Sequence, residues 1–359
     1  MKLPLTCCSA LYSDHLTEMD GDIRGRSIYF GAVTEPLPEI DTPEYDFRSC
    51  RLLAWAVADM KPKIEEALSR YGRSRIAVVL GASNTGVDEA ETYFDGALAD
   101  DGVCHFPEEF RFSMLELGTP SEYLAKAAGV DGPCYTISTA CSSSAKVFPA
   151  ARRLIEAGLC DAAIVGGVDG RCRFAMNGFH ALGALAQGRC RPLAEDRDGI
   201  CLGEGVALFM MERDCAAGCV GGRSVLFSGA GETSDAYHAT APDPEGCGAE
   251  AAMRRALRDA GLAVGDIDYV NLHGTGTLAN DSMEMKAVRR VFGDVPCGGS
   301  SHSPIVESTK AMTGHCLGAA GAVEAAICWR KIRSGEIRRA LSNSFAFGGS
   351  NASILLENA

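Results

Sequence analysis

The sequence contains no long hydrophobic run and no excess of basic residues. No apolar stretch approaches the roughly 18 residues that a helix needs to cross a bilayer, which argues against a transmembrane protein. The 34 lysines and arginines are outnumbered by 47 aspartates and glutamates, and the net charge of −13 argues against a nucleic-acid binder. Asp14 and His15 interrupt the short apolar start, so we expect no signal peptide and a cytoplasmic location.

Motifs for nucleotide and metal binding are also missing. There is no GxGxxG fingerprint and no GxxxxGK loop, so neither a dinucleotide nor ATP is indicated. The 16 cysteines include no C-x-x-C pair and no Cys/His cluster at zinc spacing. Most lie in short apolar runs, as Cys160 and Cys328 do, where a free thiol packs as a small hydrophobic group. We therefore expect reduced cysteines.

Short apolar runs alternate with longer segments of helical periodicity, which indicates an α/β fold. The pattern predicts helices over 249–262 and 318–335. It predicts strands over 75–83, 133–139, 160–170, 206–212, 224–231, 267–274 and 353–357.

One strand leads to Cys141 in the first part of the chain, and another leads to His273 in the second. This shared pattern predicts a duplicated architecture with an N-terminal half over 1–215 and a C-terminal half over 216–359. Ligands of α/β proteins bind beyond the carboxyl ends of strands, where both residues fall.

The segment STACSSSAK places Cys141 between a strand and a helix. At a helix N-terminus, unpaired N–H groups and the helix dipole stabilise a thiolate. Ser142, Ser143 and Ser144 suit the first turn as small capping residues. The alternative is that Cys141 is one more buried cysteine.

The segment VNLHGTGT places His273 after an apolar strand and beside two threonines. An imidazole in such a loop can donate a proton or a hydrogen bond to a substrate oxygen. The alternative is a structural loop histidine.

A third block, STKAMTGHCLGAAGAVEA, contains Lys310, His315 and Glu324. Glu324 falls inside a predicted helix, where a buried carboxylate needs a cation, and Lys310 is the obvious candidate. The alternative for Lys310 is a solvated surface lysine.

A fourth block, NSFAFGGSNA, has two glycines after Phe347, which suggests a tight turn whose N–H groups could bind an oxyanion. It is not a G-x-S-x-G nucleophile elbow, because Ala352 stands where the last glycine would be.

Together the four blocks resemble the elongating β-ketoacyl-acyl carrier protein synthases of the thiolase superfamily. The matching segments are TACSSS, HGTGT, KAMTGHCLGAAG and NSFAFGGSNA, in the family's order, and the resemblance covers residues 75–359. Residues 1–45 show no recognisable opening strand of the family. The resemblance implies a five-layered αβαβα fold.

The resemblance also implies a Cys–His–His site without a metal or redox cofactor. Cys141 would accept an acyl group from a phosphopantetheine thioester. His273 and His315 would promote decarboxylation of a malonyl thioester and bind the enolate oxygen. Lys310 and Glu324 would balance the charge of the site.

In the same resemblance, the N–H groups of Cys141 and Phe347 form the oxyanion hole, and the Phe347 side chain gates access. Thr275 and Thr277 would bind the pantetheine arm.

The implied partners are an acyl carrier protein and a second subunit, either another copy or a related synthase-like chain. Arg48, Arg51 and Arg111 are candidate contacts for the acidic carrier. The alternative is that they form ordinary ion pairs with neighbours such as Glu44 or Glu109.

Other members of the superfamily fit less well. A non-catalytic chain-length partner typically lacks the nucleophile, whereas Cys141 is present. A degradative thiolase would have a second catalytic cysteine in the last block, where Phe345 and Phe347 stand. A Cys–His–Asn condensing enzyme would have asparagine at His315. The segment around Cys141 looks most like synthases of specialised fatty-acid-like pathways, including aryl-polyene clusters.

Overall fold

The computed structural model describes residues 1–23, 26–94, 97, 103–214, 224–294 and 303–359. Within these ranges, no helix is both long and apolar enough to cross a membrane. The predicted boundary at residue 215 lies outside the described residues, so the division of the chain at that point stays a prediction.

The strands of the described chain are β1 Leu3–Tyr12, β2 Thr17–Ile23, β3 Arg26–Gly31, β4 Ile76–Gly81, β5 Cys134–Ile137, β6 Ala162–Asp169, β7 Leu202–Gly203, β8 Gly205–Glu212, β9 Val225–Ser234, β10 Tyr269–Asn271, β11 Ile305–Glu307, β12 Arg339–Ala346 and β13 Ser350–Asn358. The helices are α1 Arg48–Tyr71, α2 Val87–Phe94, α3 Thr119–Ala128, α4 Ser143–Glu156, α5 Arg173–Ala181, α6 Cys247–Ala260, α7 Leu278–Phe292, α8 Lys310–Thr313 and α9 Ala320–Ser334.

The main sheet consists of two five-stranded halves with the same topology. The first has the order β5-β4-β6-β8-β1 and the second the order β11-β10-β12-β13-β9. In each half three parallel strands are followed by two antiparallel pairings. The halves join through β1 and β9, where Leu3 lies opposite Phe227 and Leu5 opposite Val225. The duplication predicted from the sequence is therefore present in the strand order.

Helices lie between the half-sheets and on their outer faces. In the centre, Phe148 of α4 and Val323 of α9 pack in one apolar cluster with Phe209 of β8 and Phe227 of β9. A second cluster joins α1 and α3 to the first half-sheet, and a third joins α6 and α7 to the other. The layers therefore alternate as helices, sheet, helices, sheet and helices, which is the predicted αβαβα arrangement.

The structure adds a first strand that the sequence pattern does not reveal. β1 shifts register between Leu5 and Cys7, pairing with β9 before the shift and mainly with β8 after it. A shift of register moves side chains to the other face of a sheet, so the strand shows no continuous alternation of apolar and polar residues. Residues 3–12 therefore look like a broken apolar run, although they join the two halves.

Candidate active site

Cys141 lies in a tight turn between β5 and α4. Ala140 before it has a φ of 52°, a left-handed conformation that costs a residue with a side chain roughly 1–2 kcal/mol. Ser143 holds the turn closed, because its Oγ accepts the Thr139 N–H at 2.9 Å and donates to the Ala140 carbonyl at 2.5 Å. The thiol is thereby fixed directly before the first turn of α4, as the sequence predicts.

The structure brings both predicted histidines to this thiol. His315 Nε2 is 2.9 Å from Cys141 Sγ. The rings of His273 and His315 are nearly perpendicular, with centroids 5.3 Å apart. All three residues are buried, so the cluster is shielded from bulk water.

The protonation states of the cluster are set mainly by burial. Burial raises the pKa of the Cys141 thiol to about 12, and the Lys310 ammonium acts in the opposite direction. Burial and then Lys310 hold the pKa of His315 well below its usual range, and the same causes, with His315 added, lower the pKa of His273. The site therefore holds a neutral thiol beside two neutral imidazoles, and His315 can accept the thiol proton as the sulfur reacts. A helix N-terminus alone does not keep Cys141 ionised here.

Lys310 is buried rather than solvated. Its ammonium donates to the His273 carbonyl at 2.6 Å and to the Glu324 carboxylate, and it lies 3.5 Å from His273 Nδ1. Burial raises the pKa of Glu324 to about 7, with Lys310 acting in the opposite direction. The predicted pairing of Lys310 with Glu324 is present, and it supports the loop that carries His273.

A pocket of about 230 Å³ leads to the thiol. At its outer end the exposed Phe347 ring lies 5.5 Å from the Phe179 ring. Thr275 and Thr277 line the wall, with their hydroxyl oxygens 2.9 Å apart. Other lining residues include Leu182, Ile200, Asp235, Thr240, Pro242, Ala279, Asn280, Phe345 and Asn351. The pocket therefore combines an apolar channel with hydroxyl groups, which suits a slender amide-containing arm.

The turn after Phe347 depends on two glycines in the left-handed region. Gly348 and Gly349 have φ values of 78° and 71°. A Cβ on Gly349 would meet the Asp235 Cβ at 2.9 Å, so a side chain there is excluded. The Gly348 N–H donates to the Ala239 carbonyl at 2.7 Å, and the Asp235 N–H donates to the Gly349 carbonyl at 2.9 Å. These contacts fix the tight turn that the sequence predicts.

Among the described residues, the Cys141, His273 and His315 cluster is the one group that could hold a metal ion, since its ligand atoms lie within 4.8 Å of one another. The Lys310 ammonium, 3.5 Å from His273 Nδ1, would repel a cation at that place. The arrangement therefore suits proton transfer better than metal binding.

Two family models match the chain and together span more than half of it. Beta-ketoacyl synthase, N-terminal domain, matches residues 54–217, and Beta-ketoacyl synthase, C-terminal domain, matches residues 225–343. The chain belongs to the β-ketoacyl synthase family. It is therefore an acyltransferase, as predicted, with a thiolase-like fold.

This β-ketoacyl synthase is 31% identical to nodulation protein E of Rhizobium sp. (strain N33), over 92% of this chain and 88% of that protein. It is 34% identical to 3-oxoacyl-[acyl-carrier-protein] synthase 2 of Vibrio cholerae, over 79% of this chain and 76% of that protein. A solved structure, the ketosynthase ApeO in complex with its chain length factor ApeC from Xenorhabdus doucetiae, superimposes with a TM-score of 0.88. That match is 34% identical and covers 99% of this chain and 98% of the other.

A carboxylate that none of the sequence motifs indicates holds the HGTGT loop of the synthase. Glu284 of α7 accepts the N–H groups of His273 and Gly274, each at 2.8 Å, and the Asn343 side-chain amide at 3.1 Å. Burial raises its pKa to about 7, while the hydrogen bonds from Gly274 and His273 act in the opposite direction. The signal in the sequence is an acidic residue on the apolar face of a helix, between Met283 and Ala287.

A second carboxylate, Asp169 at the end of β6, holds the loop after β4. It accepts the N–H groups of Ser83 and Asn84, each at 2.9 Å, and the Gly318 N–H at 2.6 Å. Burial raises its pKa to about 6 against these hydrogen bonds. The bond to Gly318 also connects the first half of the synthase to the segment that follows His315.

Two of the arginines suggested as carrier contacts form ion pairs within the chain. Arg48 binds the buried Glu204 carboxylate through two nitrogens, each at 2.5 Å. Arg51 binds Asp46 at 2.7 and 2.9 Å. Their role in docking stays a prediction. Charge reversal at Arg51 is the better test of docking, because charge reversal at Arg48 would leave Glu204 buried without its cation.

Arg111 donates to the carbonyl oxygens of Glu108 and Phe110, the latter at 3.1 Å. Both acceptors are backbone carbonyl oxygens rather than carboxylates, so these two hydrogen bonds do not neutralise the charge of Arg111. Its docking role also stays a prediction.

Proposed function

We propose that this synthase condenses an acyl group held as a thioester on Cys141 with malonyl-acyl carrier protein, releasing CO₂ and 3-oxoacyl-acyl carrier protein. The observation that carries the proposal is the 2.9 Å contact between His315 Nε2 and Cys141 Sγ, with the His273 ring 5.3 Å from the His315 ring between centroids. The reaction would serve fatty-acid or polyene-type chain elongation, in the cytoplasm. Because the phosphopantetheine of the carrier delivers both substrates, we expect no metal or redox cofactor.

In the loading step, the Cys141 sulfur attacks the carbonyl carbon of an acyl-carrier thioester while His315 Nε2 takes the thiol proton. The N–H groups of Cys141 and Phe347 would bind the oxyanion of the tetrahedral intermediate. When the intermediate collapses, the C–S bond to the carrier breaks and the carrier thiol leaves with the proton. The acyl group stays on Cys141, and the empty carrier can be exchanged for a malonyl carrier.

In the condensation step, the carboxylate of the malonyl thioester leaves as CO₂ and its bonding electrons pass to an enolate. The neutral imidazole of His273 donates an N–H to the enolate oxygen, and His315 does so after it exchanges its Nδ1 proton, through solvent, for one on Nε2. The Lys310 ammonium beside His273 Nδ1 favours the tautomer with the proton on Nε2, the nitrogen that would face the substrate. The enolate carbon then attacks the acyl thioester, and the Cys141 sulfur leaves and regains a proton from solvent.

A second candidate is a non-catalytic chain-length partner in a synthase heterodimer. This alternative is supported by the superposition on a ketosynthase that was solved in complex with its chain length factor. The buried Cys–His–His cluster favours the catalytic role, since a subunit that only shapes a pocket has no need of a thiol 2.9 Å from an imidazole. We propose that the chain is the catalytic member of a dimer with a second copy or a related subunit.

The test is intact-protein mass spectrometry after incubation with a panel of acyl-carrier thioesters. Wild type should gain the acyl mass and then lose it when malonyl carrier is added. Cys141→Ala should neither load nor condense, whereas Cys247→Ala, which removes an exposed thiol, should behave as wild type. Loading of Cys141→Ala would assign the nucleophile to another cysteine. Wild type that no carrier acylates, but that restores activity to a co-expressed homologue, would favour the non-catalytic alternative.

A further inference from the structure

Hydrogen bonds connect the turn that carries Cys141 to the turn that carries Phe347. Lys146 Nζ donates to Ser350 Oγ at 2.6 Å, and Ser142 Oγ lies within hydrogen-bond distance of the same oxygen, at 3.0 Å. Ser142 directly follows Cys141, and Ser350 comes directly after the Phe347–Gly349 turn. The contact therefore joins two segments whose bonded serines are 208 positions apart in the sequence.

The geometry of α4 explains why two of its side chains reach one oxygen. Ser142 and Lys146 are four residues apart at the start of this helix, so their side chains lie on one face. A hydroxyl group has one proton and two lone pairs, so Ser350 Oγ can accept from Lys146 and donate to Ser142 Oγ, whose own proton goes to the Thr139 carbonyl. Ser142 Oγ also lies 2.9 Å from the Thr139 carbonyl and 2.9 Å from Thr139 Oγ1, which ties the bridge to the residue before the strained Ala140.

An ion pair does not explain why Lys146 is half-buried here. Among the described residues Lys146 forms no salt bridge, in contrast to Lys63, which binds the buried Glu212 at 2.8 Å. The nearby Glu232 carboxylate binds Arg153 at 3.2 Å instead. Placing an ammonium group against a serine hydroxyl costs desolvation free energy, and an apolar side chain would avoid that cost. The lysine therefore calls for an explanation in terms of the turn that it contacts.

We infer that Lys146 and Ser350 are positioning residues, which hold the backbone N–H groups of Cys141 and Phe347 at the spacing that an oxyanion requires. The inference rests on the proposed function, in which those two N–H groups form the oxyanion hole. Because the two donors come from separate segments, packing within either segment alone does not set the distance between them. The Ser142–Ser350–Lys146 bridge, which lies next to both donors in the sequence, sets the distance between them.

This role predicts different effects on the two half-reactions. Acyl loading passes through a tetrahedral oxyanion that would lie between the two N–H groups. CO₂ release passes through an enolate that would bind the histidines. A displacement of one donor by about 1 Å costs on the order of 100-fold in rate. Loss of the bridge should therefore slow loading and leave CO₂ release almost unchanged.

The test measures both half-reactions in Lys146→Met and Ser350→Ala. Acyl loading should fall about 10- to 100-fold, while CO₂ release from malonyl carrier without an acyl donor should stay within about twofold of wild type. Ser350→Thr keeps the hydroxyl and should restore loading. Lys61→Met, which changes an exposed lysine of α1, is the matched control and should leave both rates unchanged.

Thermal unfolding checks that each variant is folded. Ser350→Ala removes only one oxygen atom. If Lys146→Met does not fold, the two half-reactions are compared in Ser350→Ala alone. Equal losses in both half-reactions would reduce the bridge to a structural role, and unchanged loading would overturn the inference directly. Failure of the proposed function is seen separately, because wild type itself would then neither load nor release CO₂.

Discussion

The two halves of the synthase have the same strand order but contribute different chemistry. In the first, the third strand leads to a strained turn that presents the Cys141 thiol. In the other half, the second strand leads to His273 and the third strand leads to Lys310. Both side chains are buried. The thiol of the site therefore comes from one half, and the two imidazoles and the ammonium group come from the other.

The loop after the second strand shows what the duplication keeps and what it changes. Asp169 binds two consecutive N–H groups after β4, and Glu284 binds two consecutive N–H groups after β10. The first anchored residue is Ser83 in one half and His273 in the other. The loop is thus anchored by a carboxylate in both halves, but the carboxylate comes from the end of β6 in one and from α7 in the other, and only the second loop begins with an imidazole.

Removal of the imidazoles contributed by the second half should have the largest effect. His273→Ala and His315→Ala should each reduce CO₂ release from malonyl carrier by about 100- to 10,000-fold, the usual contribution of a positioned acid–base group. Loading of Cys141 should survive in part in both variants, and less in His315→Ala, because His315 Nε2 lies 2.9 Å from the thiol sulfur. Separate assays of CO₂ and of protein mass measure the two steps. Full condensation by either variant would refute this division of roles.

Lys310→Met should lower the free energy of unfolding by about 3–5 kcal/mol at pH 8, because it leaves the Glu324 carboxylate buried without its cation. The double variant Lys310→Met/Glu324→Gln should recover most of that loss. Urea unfolding measures both, and the exposed Lys61→Met should change stability by no more than about 0.5 kcal/mol. A double variant as unstable as Lys310→Met would show that the two groups are not coupled.

A smaller effect should distinguish the two carboxylate anchors by pH. Burial raises the pKa of Glu284 from 4.5 to about 7 and that of Asp169 from 3.8 to about 6. A carboxyl group whose pKa rises on folding binds more protons in the folded state. Its contribution to stability is therefore complete below the unfolded pKa and is lost as pH rises through the folded one.

Glu284→Gln should accordingly flatten the pH dependence of the unfolding free energy between about pH 4.5 and 7. Asp169→Asn should flatten it between about pH 3.8 and 6. Urea unfolding at several pH values, compared with wild type, separates the two windows. Curves parallel to that of wild type would contradict the prediction.

The sequence predicts which side chains meet at the site, because each lies in a short local pattern. Cys141 and His273 follow apolar strands, and Lys310 precedes a helix rich in small residues. The halves are predicted for the same reason, since strands and helices leave a local periodicity. The pairing of Lys310 with Glu324 is also recognisable, because both belong to one block of sequence.

Two of the supporting contacts are missing from the sequence analysis because their partners are distant in the sequence. Asp169 binds backbone 86 positions away, and Ser350 receives a hydrogen bond from Lys146, 204 positions away. The burial of the Cys141 thiol also depends on residues that are distant in the sequence. Its effect on the Cys141 pKa depends on packing from both halves, which local spacing does not report.

The junction of the half-sheets also constrains the order of events during synthesis of the chain. Leu3 of β1 pairs with Phe227 of β9, roughly 220 residues later. At translation rates of roughly 5–20 residues per second, the ribosome needs on the order of 10–45 s between these two residues. For most of that interval neither β8 nor β9, the two strands that pair with β1, has been synthesised. Such non-local pairings also form slowly. The contact that unites the halves is therefore one that the nascent chain completes late.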